Sequence, residues 1–352
     1  MAKDIDCSFT RALMEWYRQN KRDLPWRRDK DPYHVWVSEI MLQQTRVEAV
    51  RDYYARFMEA LPDVKALAEA DEQTLLKLWQ GLGYYNRVRN MHKAAVTVCQ
   101  QYGGVFPGDY EGLRQLSGIG EYTAGAIASI CFDAQVAAVD GNVLRVYSRL
   151  REDDGDIKSQ AMKKRAGAYL QKLYPEKNCG DFTQGLIELG ALVCIPAGAP
   201  RCDVCPAADY CGARENHTAA AYPVKQEKKQ RKKIQKTVFV LQCGGRLAVE
   251  RRPDKGLLAG LYQFPNVDAV MDAAAAVRQA EDWGVQPRDL LRRVEYTHVF
   301  THVEWEMTAY YFTAERETEA FLWAGWDQLA VEIPLPAAFA YFLPQQPAAD
   351  ET

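Results

Sequence analysis

The sequence predicts a mainly α-helical domain followed by a smaller α+β domain, and three observations carry that expectation. Apolar residues recur at spacings of three and four from residue 6 to 212, a polar and basic stretch follows, and beyond it apolar residues alternate around turn signals. A chain of 352 residues is long enough to build two sizeable cores. The boundaries so drawn are 1–212 for the helical domain, 213–235 for a basic linker, 236–346 for the second domain and 347–352 for a tail.

In the helical part, Asp31-Pro32 reads as an N-cap followed by proline at the first helical position, opening a helix through about Gln43. Asp71 opens a segment to Gln80, which Gly81-Leu82-Gly83 ends. Further helices are expected at about 86–102, 109–116, 121–132, 141–151, 158–173 and 181–193, with no strand among them. Past the linker, Thr237-Val-Phe-Val-Leu and Arg246-Leu-Ala-Val-Glu flank Gly244-Gly245, which signals a hairpin. Residues 302–308 alternate polar and apolar, and a helix is expected over about 267–282.

The formal net charge is −3, which does not mark a nucleic-acid binder, but the charge is unevenly placed. Residues 237–352 carry −8 and residues 1–236 carry +5, of which Lys225 to Lys236 alone supplies +6. Any attraction to phosphate is therefore local, and a solvated linker is the plain alternative for the basic run. The longest apolar stretch, Ala124 to Phe132, is far too short for a membrane span, and Met1-Ala-Lys-Asp-Ile-Asp lacks the apolar core of a signal peptide, so a cytoplasmic protein without membrane association is expected.

Four of the nine cysteines crowd into one run, Cys194, Cys202, Cys205 and Cys211, spaced C-x7-C-x2-C-x5-C. Four thiolates within 18 residues can wrap one metal site, and the spacing leaves a [4Fe–4S] cluster and zinc both open. Leu116-Ser-Gly-Ile-Gly lies between two helical stretches, and Gly118 and Gly120 would let backbone N–H groups approach a phosphate at a helix N-terminus; an ordinary helical turn fits as well. Asp140 stands at the start of the next helix, where a simple N-cap would do. Glu39 is odder. It sits among Val35, Trp36, Val37, Ile40, Met41 and Leu42, surroundings that disfavour its charged form, as a general acid near neutral pH requires; a solvent-facing glutamate is the common alternative.

Together these pieces resemble the adenine DNA glycosylase (MutY) family of the helix–hairpin–helix superfamily, over nearly the whole chain. The residues that carry the resemblance are Leu24-Pro-Trp-Arg, Trp36-Val-Ser-Glu-Ile-Met-Leu-Gln-Gln-Thr, Trp79-Gln-Gly-Leu-Gly-Tyr-Tyr-Asn-Arg-Val-Arg-Asn, the glycine hairpin, Ala138-Val-Asp-Gly-Asn-Val, and Glu188-Leu-Gly-Ala before the cysteines. The resemblance implies a base-excision enzyme acting on double-stranded DNA, as a monomer, at adenine opposite 8-oxoguanine or guanine. It implies that Glu39 protonates the purine N7 of a flipped adenine and that Asp140 stabilises the oxocarbenium-like sugar, with or without a transient covalent adduct. Tyr122 and Asn142 match positions that support these two carboxylates. Arg22, Trp26, Arg27, Leu42 and Gln184 match the adenine pocket, and Gln44, Leu82 and Tyr84 match residues that wedge beside the opposite base. Gly118 and Gly120 match the phosphate-binding hairpin, and the four cysteines match ligands of a [4Fe–4S] cluster.

Bifunctional relatives of the endonuclease III type carry a nucleophilic lysine where this hairpin has Tyr122, which implies a monofunctional glycosylase. The second domain resembles the Nudix-like module that reads 8-oxoguanine, with Phe300-Thr301-His302 in the recognition loop where the family usually has Phe-Ser-His. The first cysteine gap is one residue longer than usual, with Gly198 and prolines 196 and 200 marking an irregular turn, and Ser117 stands where proline is usual. Three rivals are distinguishable from the residues. Pyrimidine excision has no need of Glu39, a silent damage-binding protein has no need of both carboxylates, and a nucleotide pyrophosphatase requires an Arg-Glu-x-x-Glu-Glu-x-Gly helix that the segment before Gly284 lacks.

Overall fold

The computed structural model describes residues 7–226 and 230–345; the tail expected at 347–352 and the middle of the basic linker lie outside the described residues. The chain divides into two compact units, one within Met1–Glu69 and Asn90–Glu227, the other within Ala70–Arg89 and Lys228–Thr352.

The first unit is helical, as its spacing predicts. Its helices are α1 (Cys7–Asn20), α2 (Pro32–Met41), α3 (Val47–Ala60) and α4 (Val64–Glu69). After α5 (Glu72–Leu78), which belongs to the second unit, come α6 (Asn86–Tyr102), entering the first unit at Asn90, α7 (Tyr110–Arg114), α8 (Glu121–Phe132), α9 (Gly141–Arg151), α10 (Gln160–Gln171) and α11 (Cys179–Leu192). The starts are set by side-chain caps that satisfy otherwise orphaned N–H groups: Asp31 accepts from Tyr33, Asp109 from Gly112, Asp140 from Val143 and Ser159 from Met162. The α8 helix is apolar all round, buried from Thr123 to Ile130, and packs against α2, α7 and α11. Between α1, α9 and α11, Phe9, Leu13, Val143, Val146, Phe182, Leu186 and Leu189 form a core in which each large side chain stabilises by about 1.5–3 kcal/mol over its exposed state. The cysteine loop packs its Cys194, Cys205, Tyr210 and Cys211 against this core.

The second unit is built on a mixed sheet. Its strands are β1 (Lys232–Cys243), β2 (Arg246–Arg251), β3 (Tyr262–Gln263), β4 (Asn266–Val267), β5 (Pro287–Val299), β6 (Val303–Ala314) and β7 (Leu322–Ala324), in the order β3-β2-β1-β6-β5 with β4 on β1 and β7 on β2. Gly244 and Gly245 both take positive φ in the β1–β2 turn, the conformation a tight hairpin needs. β1 lies parallel to β6 and is covered on both faces, so it reads as a continuous apolar run rather than an alternation. Val238 and Val240 point to one core with Trp305, Met307, Phe339 and Phe342, whereas Phe239 and Leu241 point to another under α12 (Ala273–Asp282).

Two expectations are corrected here. The helix anticipated over 267–282 starts only at Ala273, because Asp272 caps it and Val267 is drawn into a ladder opposite Thr237. The sequence does not predict the long strand β5: it is the sheet edge, only partly covered on one face at Val294, Tyr296 and His298, so its sequence is mostly polar.

Candidate active site

A groove of about 1420 Å³ opens in the first unit, larger than the roughly 300–1,000 Å³ of a small-molecule pocket. Glu39, Tyr122, Asp140 and Asn142 all line it, and so do Arg22, Trp26, Arg27, Leu42, Gln44, Gln184, Gly118 and Gly120. Residues brought from five separate stretches of the sequence therefore share one concavity.

Glu39 lies on the inner face of α2 and is only 8% exposed. Burial pushes its pKa up to about 7; the Tyr122 hydroxyl, which donates to Oε2 at 2.6 Å, opposes the rise, and the neighbouring Asp140 adds to it. Tyr122 reaches it from the first turn of α8, and burial holds the phenol far above its usual range, so it stays a donor. Asp140 is the N-cap of α9. Burial raises its pKa as well, against the Val143 N–H at 2.7 Å, the Asn142 amide at 2.8 Å and the nearby Arg145 charge. Asn142 is itself held by Arg145, which donates to its Oδ1 at 2.9 Å. Gly190 is required beside it, since a Cβ there would lie 2.6 Å from the Asn142 Cβ.

One residue of the groove's supporting frame escaped the sequence reading. Glu188, fully buried on α11, accepts from the Arg22 backbone and guanidinium at 2.8–3.0 Å and from Arg27 at 2.8 Å. Burial works against its charge, but the two arginines prevail and hold the carboxyl down at about 2. The signal available was its motif position; the pairing itself joins residues far apart in the chain.

In the hairpin, Gly118 has φ +76°, and a Cβ there would lie 2.7 Å from Asn90 Cβ, so this turn is restricted to glycine twice over. Gly120 is the N-cap of α8 and leaves the first N–H groups of that helix pointing outward from its end. Gln44 adopts a left-handed backbone, φ +61°, and so does Tyr84, φ +50°. Non-glycine residues in this region are uncommon and cluster where function demands a presented side chain.

Leu82, Tyr84, Phe300, Thr301 and His302 belong to the second unit. There the Tyr84 hydroxyl lies 2.9 Å from Thr301 Oγ1. The Phe300 turn is closed by its N–H to the Val303 carbonyl at 2.8 Å and by edge-to-face packing on His298 and Trp305.

The cysteine loop begins directly after α11. Arg149 donates to Cys194 Sγ at 3.3 Å and to the Ile195 carbonyl at 2.9 Å, while Arg145 donates to the carbonyls of Cys194 and Gly190 at 2.7 Å. Both arginines are buried and neither is ion-paired with a carboxylate among the described residues. The thiols are near enough that Cys194 raises the pKa of Cys202, Cys205 and Cys211, beyond what burial does. Among the described residues, however, no three metal-binding side chains close around a single ion. A donor set of four soft thiols beside two buried arginines fits a metal–thiolate centre carrying net negative charge.

Comparison with known proteins matches both domains. Residues 37–172 match the HhH-GPD superfamily of base excision DNA repair proteins, and residues 237–345 match the NUDIX domain. Among solved structures, a thermostable thymine-DNA glycosylase shares 26% identity and a TM-score of 0.52, covering 59% of this chain and 95% of its own. A trapped endonuclease III–DNA covalent intermediate, at 23% identity and a TM-score of 0.50, covers 60% of this chain and 99% of its own and supports the fold alone. The adenine DNA glycosylase of Rattus norvegicus is 34% identical, covering 91% of this chain and 74% of its own length. That of Homo sapiens is 34% identical over 88% and 68% of the two chains, and that of Buchnera aphidicola (strain APS) 31% over 84% and 83%. With both domains matched and identity spread along nearly its whole length, the chain belongs to the adenine DNA glycosylases, base-excision enzymes that hydrolyse N-glycosyl bonds.

Proposed function

We propose that the enzyme removes adenine mispaired with 8-oxoguanine or guanine, as a monofunctional glycosylase with Glu39 as general acid and Asp140 as the charge-stabilising carboxylate. The observation that carries this reading is the environment of Glu39: buried, titrating near neutrality, and in one groove with a second carboxylate. Tyr122 donates to Oε2, which leaves Oε1 to hold the proton and deliver it to the purine N7. Protonation makes the base a better leaving group. Asp140 has three groups favouring its charged form where Glu39 has one hydrogen-bond donor, so it is the better placed to stand ionised beside an oxocarbenium-like sugar and to orient the incoming water.

Arg22 and Arg27, aligned by Glu188, with Trp26, Leu42 and Gln184, are read as the walls of the adenine pocket. Gln44, Leu82 and Tyr84 fill the space beside the opposite base, and Phe300-Thr301-His302 contacts the lesion. Gly118 and Gly120 hold a phosphate at the α8 N-terminus, and Cys194, Cys202, Cys205 and Cys211 hold a [4Fe–4S] cluster that, when bound, fixes the loop against α9. Tyr122 offers no amine, so the reaction stops at the abasic site.

The test is single-turnover excision on duplexes with adenine opposite 8-oxoguanine, guanine or thymine. Glu39→Gln is expected to bind duplex as the parent does and to release adenine slower by on the order of 10² to 10⁴. Release at the parental rate would falsify the general-acid assignment, and equal rates on all three duplexes would remove the partner preference.

A further inference from the structure

The turn assigned to wedging beside the opposite base does not group with the helical unit: Ala70–Arg89 forms one compact unit with the C-terminal sheet. Two cations fasten it there. Lys77 Nζ donates to the carbonyls of Leu329 and Ile333 at 2.9 and 3.4 Å, at the C-terminal end of the helix Trp326–Val331, where helix carbonyls lack partners and the dipole favours a cation. Arg89 donates through Nη2 to the Ala259 carbonyl at 2.7 Å, in the loop between β2 and β3, and through Nε to Glu72 at 2.6 Å.

Between these anchors the wedge turn is tied by hydrogen bonds and ring contacts of its own. Gly81, Gly83 and Tyr84 all take positive φ. The Gly83 carbonyl accepts from Trp79 Nε1 and Arg87 Nη2, each at 3.1 Å, and the Leu82 carbonyl accepts from Arg87 at 3.0 Å. The Arg87 guanidinium lies over the rings of Trp79 and Tyr84 at 5.3 and 5.5 Å. Beyond the turn, Tyr84 meets Thr301 hydroxyl to hydroxyl at 2.9 Å.

We propose that Lys77 and Arg89 are positioning residues for lesion discrimination: they mount the Leu82–Tyr84 turn on the C-terminal unit, so that wedge and recognition loop meet the opposite base as one rigid piece. The C-terminal domain then governs partner preference in two ways, by touching the lesion and by aiming a wedge that belongs to another stretch of sequence. This inference rests on the reading of Leu82, Tyr84 and Thr301 given above. It also gives the hydroxyl of Thr301 a partner that orients it, which compensates for the altered rotamer choice of threonine in this loop.

The test uses the full chain with Lys77→Met, Arg89→Met, Lys77→Arg and Thr301→Ala. The readouts are the ratio of single-turnover rates for adenine opposite 8-oxoguanine and opposite guanine, and the fluorescence rise of 2-aminopurine placed opposite 8-oxoguanine. Lys77→Met and Arg89→Met should each lower the ratio on the order of 10-fold, the worth of a part-buried charge-assisted hydrogen bond, and weaken the fluorescence rise in step. Lys77→Arg should restore both. Equal losses on the two duplexes with a lowered melting temperature would reduce the two cations to structural glue and overturn the proposal. An unchanged ratio in both methionine variants, with a lowered one in Thr301→Ala, overturns it while sparing the underlying reading. An unchanged ratio in all three overturns the reading and the proposal together.

Discussion

Glu39 and Glu188 are both withdrawn from water, yet they titrate in opposite directions because their partners differ. Glu39 has one hydroxyl donor against its burial and rises to about 7, whereas Glu188 has two arginines and falls to about 2. A carboxyl whose folded pKa is raised binds more protons folded than unfolded between the two values, so stability declines as pH climbs from about 4.5 through 7 and stays reduced above. The loss attributable to Glu39 is on the order of 3 kcal/mol. Glu39→Gln should therefore melt higher than the parent at pH 8 and much closer to it at pH 5, and thermal melts at the two pH values check this; an equal shift at both would remove the buried acid from the account. Glu188 has the opposite sign, stabilising above about 4.5 and failing as pH drops toward 2. The sequence revealed Glu39 because a lone carboxylate in an apolar helical run is conspicuous. It hid Glu188, whose charge is matched only when Arg22 and Arg27 arrive from the other end of the helical unit.

At the level of elements, α9 does several jobs along one face. Its cap is Asp140, and Asn142, Arg145 and Arg149 follow at helical spacing, ending on the Cys194 sulfur and the carbonyls around it. The caps that begin these helices were legible because Asp and Ser announce themselves at fixed offsets, as at Asp31, Asp109 and Asp140. Strand β5 was not, since an edge with one half-covered face needs little apolar sequence, and the spacing of the cysteines could not choose between metals. Two buried arginines, one on the Cys194 sulfur and one on its carbonyl, favour a bound group carrying net negative charge, which four thiolates supply around zinc and around an iron–sulfur core alike, so metal analysis decides. Anaerobically purified protein should be brown and hold about four irons per chain, and Cys202→Ser should lower iron content and DNA affinity together. Stoichiometric zinc without iron in the parental protein would overturn the cluster assignment.

At the scale of the whole molecule, an overall charge of −3 conceals a division of labour in electrostatics. Domain class was legible from the change of periodicity near the linker, but the grouping of Ala70–Arg89 with the C-terminal unit was not, because helical spacing says nothing about which core a helix joins. The charge that matters for a duplex is the charge that lines the groove: Lys21, Lys30, Arg114, Lys158, Lys163 and Lys164 all border it. Each phosphate contact releases condensed counterions, so log affinity falls with log salt at about 0.9 per phosphate neutralised. Lys163→Ala with Lys164→Ala should therefore flatten that slope by roughly 1.8, and weaken duplex binding alike for 8-oxoguanine and guanine partners, because a phosphate contact carries no base information. Lys65→Ala is the control, since Lys65 pairs with Glu69 on α4 and does not border the groove. Titrations across a range of salt concentrations decide the matter. A slope unchanged in the double variant would mean that the α10 lysines do not lie along the phosphate track, and a slope equally reduced by Lys65→Ala would mean that net charge rather than the groove governs binding. The single-turnover rate at saturating enzyme and low salt should stay parental throughout, as the lysines stand away from Glu39 and Asp140 in sequence and serve only to bring the duplex to them.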